Sequence, residues 1–297
     1  MKLSVCIPVY NFDVRELVFD LKKEIENNKI DAEIVLIDDA SEENFRVINS
    51  ELQKEIQAFI FLENNIGRAR IRNLFLNYSK GEYLLFLDCD VKIDNANFLQ
   101  NYLNEIAKNN DLELMYGNFK IDTRHAKSLR NRYSLEREIF YEERSSNFSL
   151  FKTVNFIIKR EIFKRFSFDE ALIEYGYEDF VFAKLLEKKN VKYLAFNNPV
   201  IHCDDTSNSI FLKKIEIGID SLYKLSTSIE NEDLIKDIKV YNIARKLKNT
   251  GLDSLFLILY KFLEKLIKNN LLSEHPTIQY LDIYKLSLLL KKIKPTH

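Results

Sequence analysis

Residues 81–90 have the sequence GEYLLFLDCD, an apolar run that ends in two carboxylates, Asp88 and Asp90. The apolar run predicts a buried β-strand, and the two acids would follow its carboxyl end. In open α/β sheets, ligands bind beyond the carboxyl ends of the strands. Two acids separated by one residue can share a divalent cation with phosphate oxygens of a ligand. They can equally be solvated acids at the end of a strand, so the surrounding sequence must decide.

Strand and helix patterns alternate on both sides of this run. Further strands are predicted at residues 3–9, 32–37, 59–62, 112–116, 153–158 and 191–196. Helices are predicted near residues 14–25, 45–56, 98–107, 160–166 and 178–189. A further helix is predicted after Gly67, and it would carry Arg68, Arg70 and Arg72. This order predicts an α/β domain with mostly parallel strands and right-handed crossovers.

The strand pattern stops after Asp204. Apolar residues at helical spacing from Leu252 to Ile267, and again from Ile278 to Lys292, predict amphipathic helices. We therefore expect two domains, an α/β domain over residues 1–205 and an α-helical C-terminal region over residues 206–297.

Composition and charge exclude several classes of protein. A hydrophobic content of 46% is typical of a folded globular chain, and a net charge of −1 disfavours a nucleic-acid-binding protein. The three cysteines have no paired spacing, which favours free thiols in a reducing compartment. The first residues show no secretory signal pattern, and the longest fully apolar run, Leu255 to Tyr260, is too short to span a bilayer. We expect a cytoplasmic protein, with a peripheral position at the inner membrane face as a second expectation.

Five motifs occur in an order that is typical of one enzyme family. They are Ser4 to Asn11, Asp38 to Ser41, Asn65 to Gly67 with the pair Arg72-Asn73, Gly81 to Asp90, and Gly176 to Asp179. Together they resemble family 2 glycosyltransferases of GT-A fold, over residues 3–205. The resemblance implies a Rossmann-like central sheet and an inverting transfer of a sugar from a nucleotide-sugar donor. We recognise no family motif in residues 206–297.

The resemblance assigns most of the motif residues to the nucleotide. It implies that the base is held by Pro8, Val9, Tyr10 and Asp39, that Arg72 lies near the base and phosphates, and that Asp88 faces the ribose or a metal-bound water. Asp38 is the less favoured acid of its pair, and capping of the following helix is its alternative role. Arg68 and Arg70 lack a counterpart in the motif, so we expect solvated helix charges.

The remaining motif residues would bind metal and perform the chemistry. Asp90 is expected to ligate Mn²⁺ or Mg²⁺ at the diphosphate, and His202 is a candidate further ligand with a structural role as its alternative. Asp179 is the expected general base, with Glu178 as the other acid of the pair. Because both acids open a helix, capping is the alternative for them.

The donor, the acceptor and the competing functions remain as hypotheses. We expect a UDP-sugar donor and a hydroxyl of a glycan or lipid-linked acceptor in bacterial surface polysaccharide synthesis. The alternatives are an inactive GT-A-like scaffold and a nucleotidyltransferase. Nucleotidyltransferases usually carry a glycine-rich loop after the first strand, whereas this chain has no glycine before Gly67.

Two segments carry expectations of their own. The polar residues 120–147 are expected to be mobile or to face the acceptor. The apolar face from Leu252 to Ile267 must be covered, and docking within the chain or a homodimer is favoured over an anionic membrane surface.

Overall fold

The computed structural model describes residues 2–140, 148–172, 176–227 and 232–293, which form two compact units. The first unit contains residues 2–122, 138–140, 148–172 and 178–203. The second contains residues 123–137, 176–177, 204–227 and 232–293. Of the polar stretch at 120–147, residues 141–147 lie outside the described part of the chain.

The first unit is built on an eight-stranded sheet in the order β3-β2-β1-β4-β7-β6-β8-β5. Its strands are β1 Leu3–Val9, β2 Ala32–Asp38, β3 Ala58–Phe61, β4 Tyr83–Leu87, β5 Val91–Lys92, β6 Leu114–Ile121, β7 Asn155–Lys159 and β8 Tyr193–His202. Six strands run in one direction, and β5 and β7 run against them. The predicted α/β class with a mostly parallel sheet is confirmed.

Twelve α-helices complete the described chain. They are α1 Arg15–Asn28, α2 Glu43–Asn49, α3 Arg68–Tyr78, α4 Phe98–Lys108, α5 Leu129–Arg137, α6 Arg160–Arg165, α7 Glu178–Lys188, α8 Asn208–Ser226, α9 Glu232–Ile235, α10 Lys239–Thr250, α11 Asp253–Leu271 and α12 Ile278–Lys292.

Helices cover both faces of the sheet, and this explains the apolar run at β4. Leu85 and Leu87 belong to one core cluster, in which side chains of α1 and α4 take part. Leu84 and Phe86 belong to the opposite cluster, with side chains of α3, α6 and α7. Because successive residues of a strand point to opposite faces, a strand that is covered on both sides must be apolar at every position.

Two details of the sheet differ from the sequence-based prediction. The last strand does not end at residue 196 but continues through Pro199 to His202, where it pairs with β6 and with the short strand β5. Strand β5 has only two residues, too few for a periodic pattern, and it was not predicted.

A buried amide network stabilises the sheet where the register of β6 and β8 shifts. Asn155 is fully buried, and its Nδ2 donates to the carbonyl oxygens of Asn118, at 3.2 Å, and Asn198, at 2.9 Å. Its Oδ1 accepts a hydrogen bond of 2.8 Å from the Tyr102 hydroxyl. The shift between Gly117 and Phe119 interrupts the ladder between the strands. Asn155 thus provides hydrogen bonds to buried carbonyl groups at that position.

The second unit consists of helices around α12. Buried residues of α12, among them Leu281 and Tyr284, pack with Phe211 of α8 and with Tyr260 and Ile267 of α11. Leu129 of α5 belongs to the same cluster. Residues 123–137 are therefore part of the helical unit and not of the predicted 1–205 domain. They contain a short 3₁₀ turn and α5, and the expectation that this stretch is mobile or faces the acceptor stays a prediction.

We predict that Gly117→Ala lowers the free energy of unfolding by about 1–3 kcal/mol. A Cβ at this position would overlap Nδ2 of Asn155 and the hydroxyl of Tyr102, so the amide network would have to shift. Urea unfolding followed by circular dichroism measures the change.

Gly218→Ala in α8 is the matched control, because no heavy atom lies within 4 Å of its added Cβ. A helical alanine there should stabilise the chain by roughly 0.5–1 kcal/mol. Equal effects of the two substitutions would contradict the role of the network.

Candidate active site

The candidate site lies at one edge of the sheet in the first unit. Asp38 is the last residue of β2, Asp88 follows β4 directly, and His202 is the last residue of β8. These strands run in the same direction, so their carboxyl ends share an edge. The parallel arrangement thus gathers side chains that are up to 164 residues apart in the sequence.

The loops after β1 and β2 are hydrogen-bonded to each other. The backbone N–H of Asn11 donates to Oγ of Ser41 at 2.9 Å, and Oδ1 of Asn11 accepts from the N–H of Glu42 at 2.7 Å. Tyr10 remains 52% exposed beside this contact, so its ring is available to a planar ligand. Pro8 is half-buried.

Val9, which is predicted to help hold the base, is the last residue of β1. Its side chain is fully buried in the core, and its carbonyl oxygen accepts the N–H of Asp39 at 2.8 Å. The residue holds the loop after β2 against β1. A strand-end valine belongs to the core because its side chain alternates inward.

The two acids after β2 have different partners. Oδ1 of Asp38 accepts the N–H of Ser41 at 2.8 Å, which stabilises the turn before α2, and the side chain is fully buried. Asp39 accepts two backbone N–H groups, from Ile66 at 2.7 Å and from Gly67 at 3.2 Å. Burial raises the pKa of Asp39, although these two hydrogen bonds oppose the rise. Asp39 therefore joins the loop after β2 to the start of α3.

Arg72 and Asp88 form an ion pair between α3 and the end of β4. Nη2 of Arg72 lies 2.6 Å from Oδ1 of Asp88, and Nη1 donates to the carbonyl oxygen of Arg68 at 3.1 Å. The Arg72 side chain is 3% exposed, whereas that of Asp88 is 23% exposed. Asp88 therefore keeps an accessible carboxylate surface, and the buried guanidinium of Arg72 balances its negative charge.

Asn73 has a structural role that the sequence reasoning missed. Its Nδ2 donates to the carbonyl oxygen of Phe168 at 2.9 Å, and its Oδ1 accepts the N–H of Phe168 at 3.0 Å. The ring of Phe168 lies 5.8 Å from the guanidinium carbon of Arg72. Two adjacent residues of α3 thus make separate contacts: Arg72 pairs with Asp88, and Asn73 is hydrogen-bonded to the backbone of Phe168. The pair was visible in the sequence, but the partner of Asn73 is 95 residues away.

Asp90 and His202 are neighbours, as the predicted metal site requires. Oδ2 of Asp90 lies 3.3 Å from Nε2 of His202, and the N–H of Cys203 donates to the Asp90 carbonyl oxygen at 2.8 Å. Burial alone would raise the pKa of Asp90, but the charge and hydrogen bond of His202 outweigh it and lower the pKa well below its usual range. The Asp90 side chain is 33% exposed and that of His202 is 8% exposed. A carboxylate and an imidazole are suitable donors for Mn²⁺.

This donor set is small. Among residues 2–140, 148–172, 176–227 and 232–293, no group of three or more His, Cys, Asp and Glu side chains could hold a metal ion. Two protein donors are compatible with a cation that takes its other ligands from a diphosphate and water.

The Glu178-Asp179 pair opens α7, and its two acids differ in exposure. Glu178 is 6% exposed, and its Oε1 lies 3.6 Å from Nη1 of Arg68. Asp179 is 23% exposed; its Oδ1 accepts the N–H of Phe180 at 2.7 Å, and its Oδ2 lies 3.5 Å from Nζ of Lys152. Asp179 thus presents the more accessible carboxylate.

Arg68 is 53% exposed, as expected for a solvated helix charge, but it also lies beside the acids of the candidate site. Its guanidinium interacts with the buried Glu178, and its charge contributes to the lowered pKa of Asp90. The first turn of α3 therefore places a cation beside two of the predicted site acids. Arg70, two residues further on, is exposed and fits the prediction. The sequence of α3 does not distinguish Arg68 from Arg70. They differ because Glu178 of α7 lies beside Arg68.

A family model matches the part of the chain that holds the first four motifs, and it ends before the fifth, at Gly176 to Asp179. The model described as "Glycosyl transferase family 2" matches residues 4–172, more than half of the chain. The chain belongs to glycosyl transferase family 2. The predicted resemblance to family 2 glycosyltransferases is confirmed, and the match disfavours a nucleotidyltransferase.

Two curated relatives illustrate the range of the family. A poly(ribitol-phosphate) beta-glucosyltransferase of Bacillus spizizenii is 30% identical over 126 residues, which cover 40% of this chain and 19% of that enzyme. The UDP-Glc:alpha-D-GlcNAc-diphosphoundecaprenol beta-1,3-glucosyltransferase WfgD of Escherichia coli is 26% identical over 166 residues, 56% of this chain and 63% of that enzyme. The chain thus spans less than two thirds of either relative.

Solved structures share the fold. S. aureus TarS 1-349 in complex with UDP-GlcNAc has a TM-score of 0.56 at 17% identity, covering 98% of this chain and 91% of that one. The mannosyltransferase PcManGT of Pyrobaculum calidifontis, in complex with GDP-Man and Mn²⁺, has a TM-score of 0.56 at 15% identity, covering 80% of this chain and 67% of that one. The GT-A fold class with a helical C-terminal region is confirmed.

We predict that Arg72→Met destabilises the chain by about 2–3 kcal/mol, because it leaves the partly buried Asp88 without its guanidinium partner. Arg70→Met is the control on the same helix, and its exposed side chain should change the free energy of unfolding by less than about 0.5 kcal/mol. Chemical denaturation of both variants provides the comparison. Similar losses for both would show that the ion pair is not what anchors α3.

Proposed function

We propose that this chain is an inverting glycosyltransferase that moves a sugar from a UDP-sugar to a hydroxyl of a glycan or lipid-linked acceptor in bacterial surface polysaccharide synthesis. One observation carries the proposal. The pairs Arg72–Asp88 and Asp90–His202 lie at the same sheet edge as the linked loops of Tyr10 and Asp39. An aromatic side chain, carboxylates and a candidate metal pair are the parts that a nucleotide diphosphate needs.

The nucleoside would bind beside the loops after β1 and β2. The exposed ring of Tyr10 offers a face to the base, and Pro8 adds an apolar border. Asp39 lies at the junction of these loops with α3, and Asp88 has an accessible carboxylate for the ribose hydroxyls. UDP is favoured because the WfgD relative is named for UDP-Glc and a TarS structure contains UDP-GlcNAc.

Asp90 and His202 would hold Mn²⁺ or Mg²⁺. When bound, such a cation neutralises charge on the nucleoside diphosphate as the sugar leaves it. Their spacing of 3.3 Å and the exposed fraction of Asp90 suit a site completed by ligand oxygens. The PcManGT structure contains Mn²⁺, which supports this choice.

Asp179 would take the proton of the acceptor hydroxyl. The acceptor oxygen attacks the anomeric carbon from the face opposite the diphosphate, the bond to the diphosphate breaks, and the configuration inverts. Asp179 is the more exposed acid of its pair, and Lys152 can balance its charge. Glu178, buried against Arg68, is better suited to positioning α7 and Arg68.

Incubation with UDP-glucose, UDP-N-acetylglucosamine and GDP-mannose, each with Mn²⁺, tests the reaction. The proposal expects release of UDP, accelerated by the correct acceptor, and little release of GDP. Faster turnover of the GDP-sugar would overturn the donor assignment.

We predict that Asp90→Asn weakens UDP binding at least ~10-fold in the presence of Mn²⁺, because the amide is a poorer ligand than the carboxylate. In EDTA the wild type and the variant should bind UDP equally, and this comparison is the internal control for folding. Calorimetric titration measures both. Unchanged affinity in Mn²⁺ would remove Asp90 from the metal site.

We predict that Asp179→Asn lowers turnover at least ~10²-fold while the affinity for UDP stays nearly constant, since the amide cannot accept the proton. Asp169→Asn is the matched control, because Asp169 is exposed and its Oδ1 likewise accepts a nearby backbone N–H. An active Asp179→Asn enzyme together with an inactive Glu178→Gln enzyme would assign the base to the other acid.

A further inference from the structure

The proposed reaction does not use the outer face of α11, which is defined by six exposed apolar residues: Leu255, Ile258, Leu259, Phe262, Leu263 and Leu266. These side chains are 49–79% exposed, and Phe262 is the most exposed of them. The helix packs into its own unit through a different side, where Tyr260, Ile267 and Leu271 are buried. The apolar stripe expected from the sequence is therefore only partly covered.

The geometry of an α-helix places these six residues in one arc. At 100° per residue they lie within roughly 140° of the helix circumference. Lys261 and Lys265 follow on the edge of that arc, on the side away from the buried residues. Both lysines are exposed and have no ion-pair partner among the residues that the structure describes. The outer face of α11 is thus apolar with a cationic border.

The positive charge of the C-terminal region lies in the segment formed by α10 and α11. Residues 239–271 contain seven Lys and Arg against two Asp and Glu, a net charge of +5 that equals that of the whole segment 206–297. Both acids are already paired, Asp253 with Lys248 at 2.7 Å and Glu264 with Lys268 at 3.0 Å. No acidic side chain of α11 therefore remains to neutralise Lys261 and Lys265.

We propose that the outer face of α11 binds an anionic membrane surface and lies in the plane of the interface. An amphipathic helix of this kind inserts its apolar side chains among the acyl chains while its lysines contact the headgroups. Within the described ranges, no helix is both long enough and apolar enough to cross a bilayer. Contact in the plane of the membrane needs no such helix.

The charge pattern favours this occupant over a second copy of the chain. If two antiparallel α11 helices packed through this face about a two-fold axis, their lysine borders would lie on the same side of the interface. Like charges would then meet, whereas anionic lipids provide the opposite charge along the whole border. This inference does not depend on the donor, the metal or the catalytic base.

Co-sedimentation of the full chain with phosphatidylcholine vesicles, with and without phosphatidylglycerol, tests the proposal at low and high salt. We expect binding to the anionic vesicles that weakens as salt is added. Phe262→Glu should reduce this binding at least ~10-fold, since it removes an apolar contact and adds a negative charge. Val47→Glu is the matched control, because Val47 of α2 is 62% exposed but lies in the other unit.

The lysine border has its own test. Lys261→Gln with Lys265→Gln should weaken binding and reduce its dependence on salt, with far-UV circular dichroism unchanged. Salt-independent binding to neutral vesicles would overturn the role of the lysines. Absence of vesicle binding would overturn the proposal. This holds whether the chain is a monomer or a dimer that Phe262→Glu dissociates.

Discussion

The ion pair between Arg72 and Asp88 is the interaction on which the candidate site depends. A guanidinium that is almost fully buried needs a partner, and the only carboxylate bonded to it among the described residues stands at the end of β4. The pair fixes the rotation of α3. Through α3 it also fixes the preceding residues Ile66 and Gly67, whose N–H groups donate to Asp39. It likewise fixes Asn73, which donates a hydrogen bond to the backbone of Phe168. One charge pair thus orders the loops around the proposed nucleotide site.

A second constraint acts on the other half of the sheet. The amide of Asn155 joins β7 to the backbone of Asn118 and Asn198, where the ladder between β6 and β8 is irregular. Beyond this point β8 continues for several residues, pairs with β5 and ends at His202. Because β5 follows Asp90 directly, the pairing brings the imidazole to the carboxylate. The candidate metal pair is therefore a consequence of strand pairing.

Much of the fold could be predicted because its signals are local. The run at β4 is apolar at every position since helices cover both faces of the sheet, and the alternation of strands and helices predicts parallel pairing. Strand β5 and the end of β8 could not be found in this way. Two paired residues have no periodicity, and Pro199 disfavours a strand unless the neighbouring strands accommodate it. The polar sequence of α5 likewise gave no sign that Leu129 joins the helical core.

The sequence by itself determined the fold class, the family and the chemical types at the site, because motif residues and strand ends are encoded by neighbours along the chain. Only the tertiary structure decided which of these residues meet. It buried Val9, brought Arg68 to Glu178, and showed that Asp179 is the more exposed acid of its pair. It also left the outer face of α11 exposed. Burial and ion pairing depend on contacts between residues that are far apart in sequence, and periodicity along one segment cannot specify them.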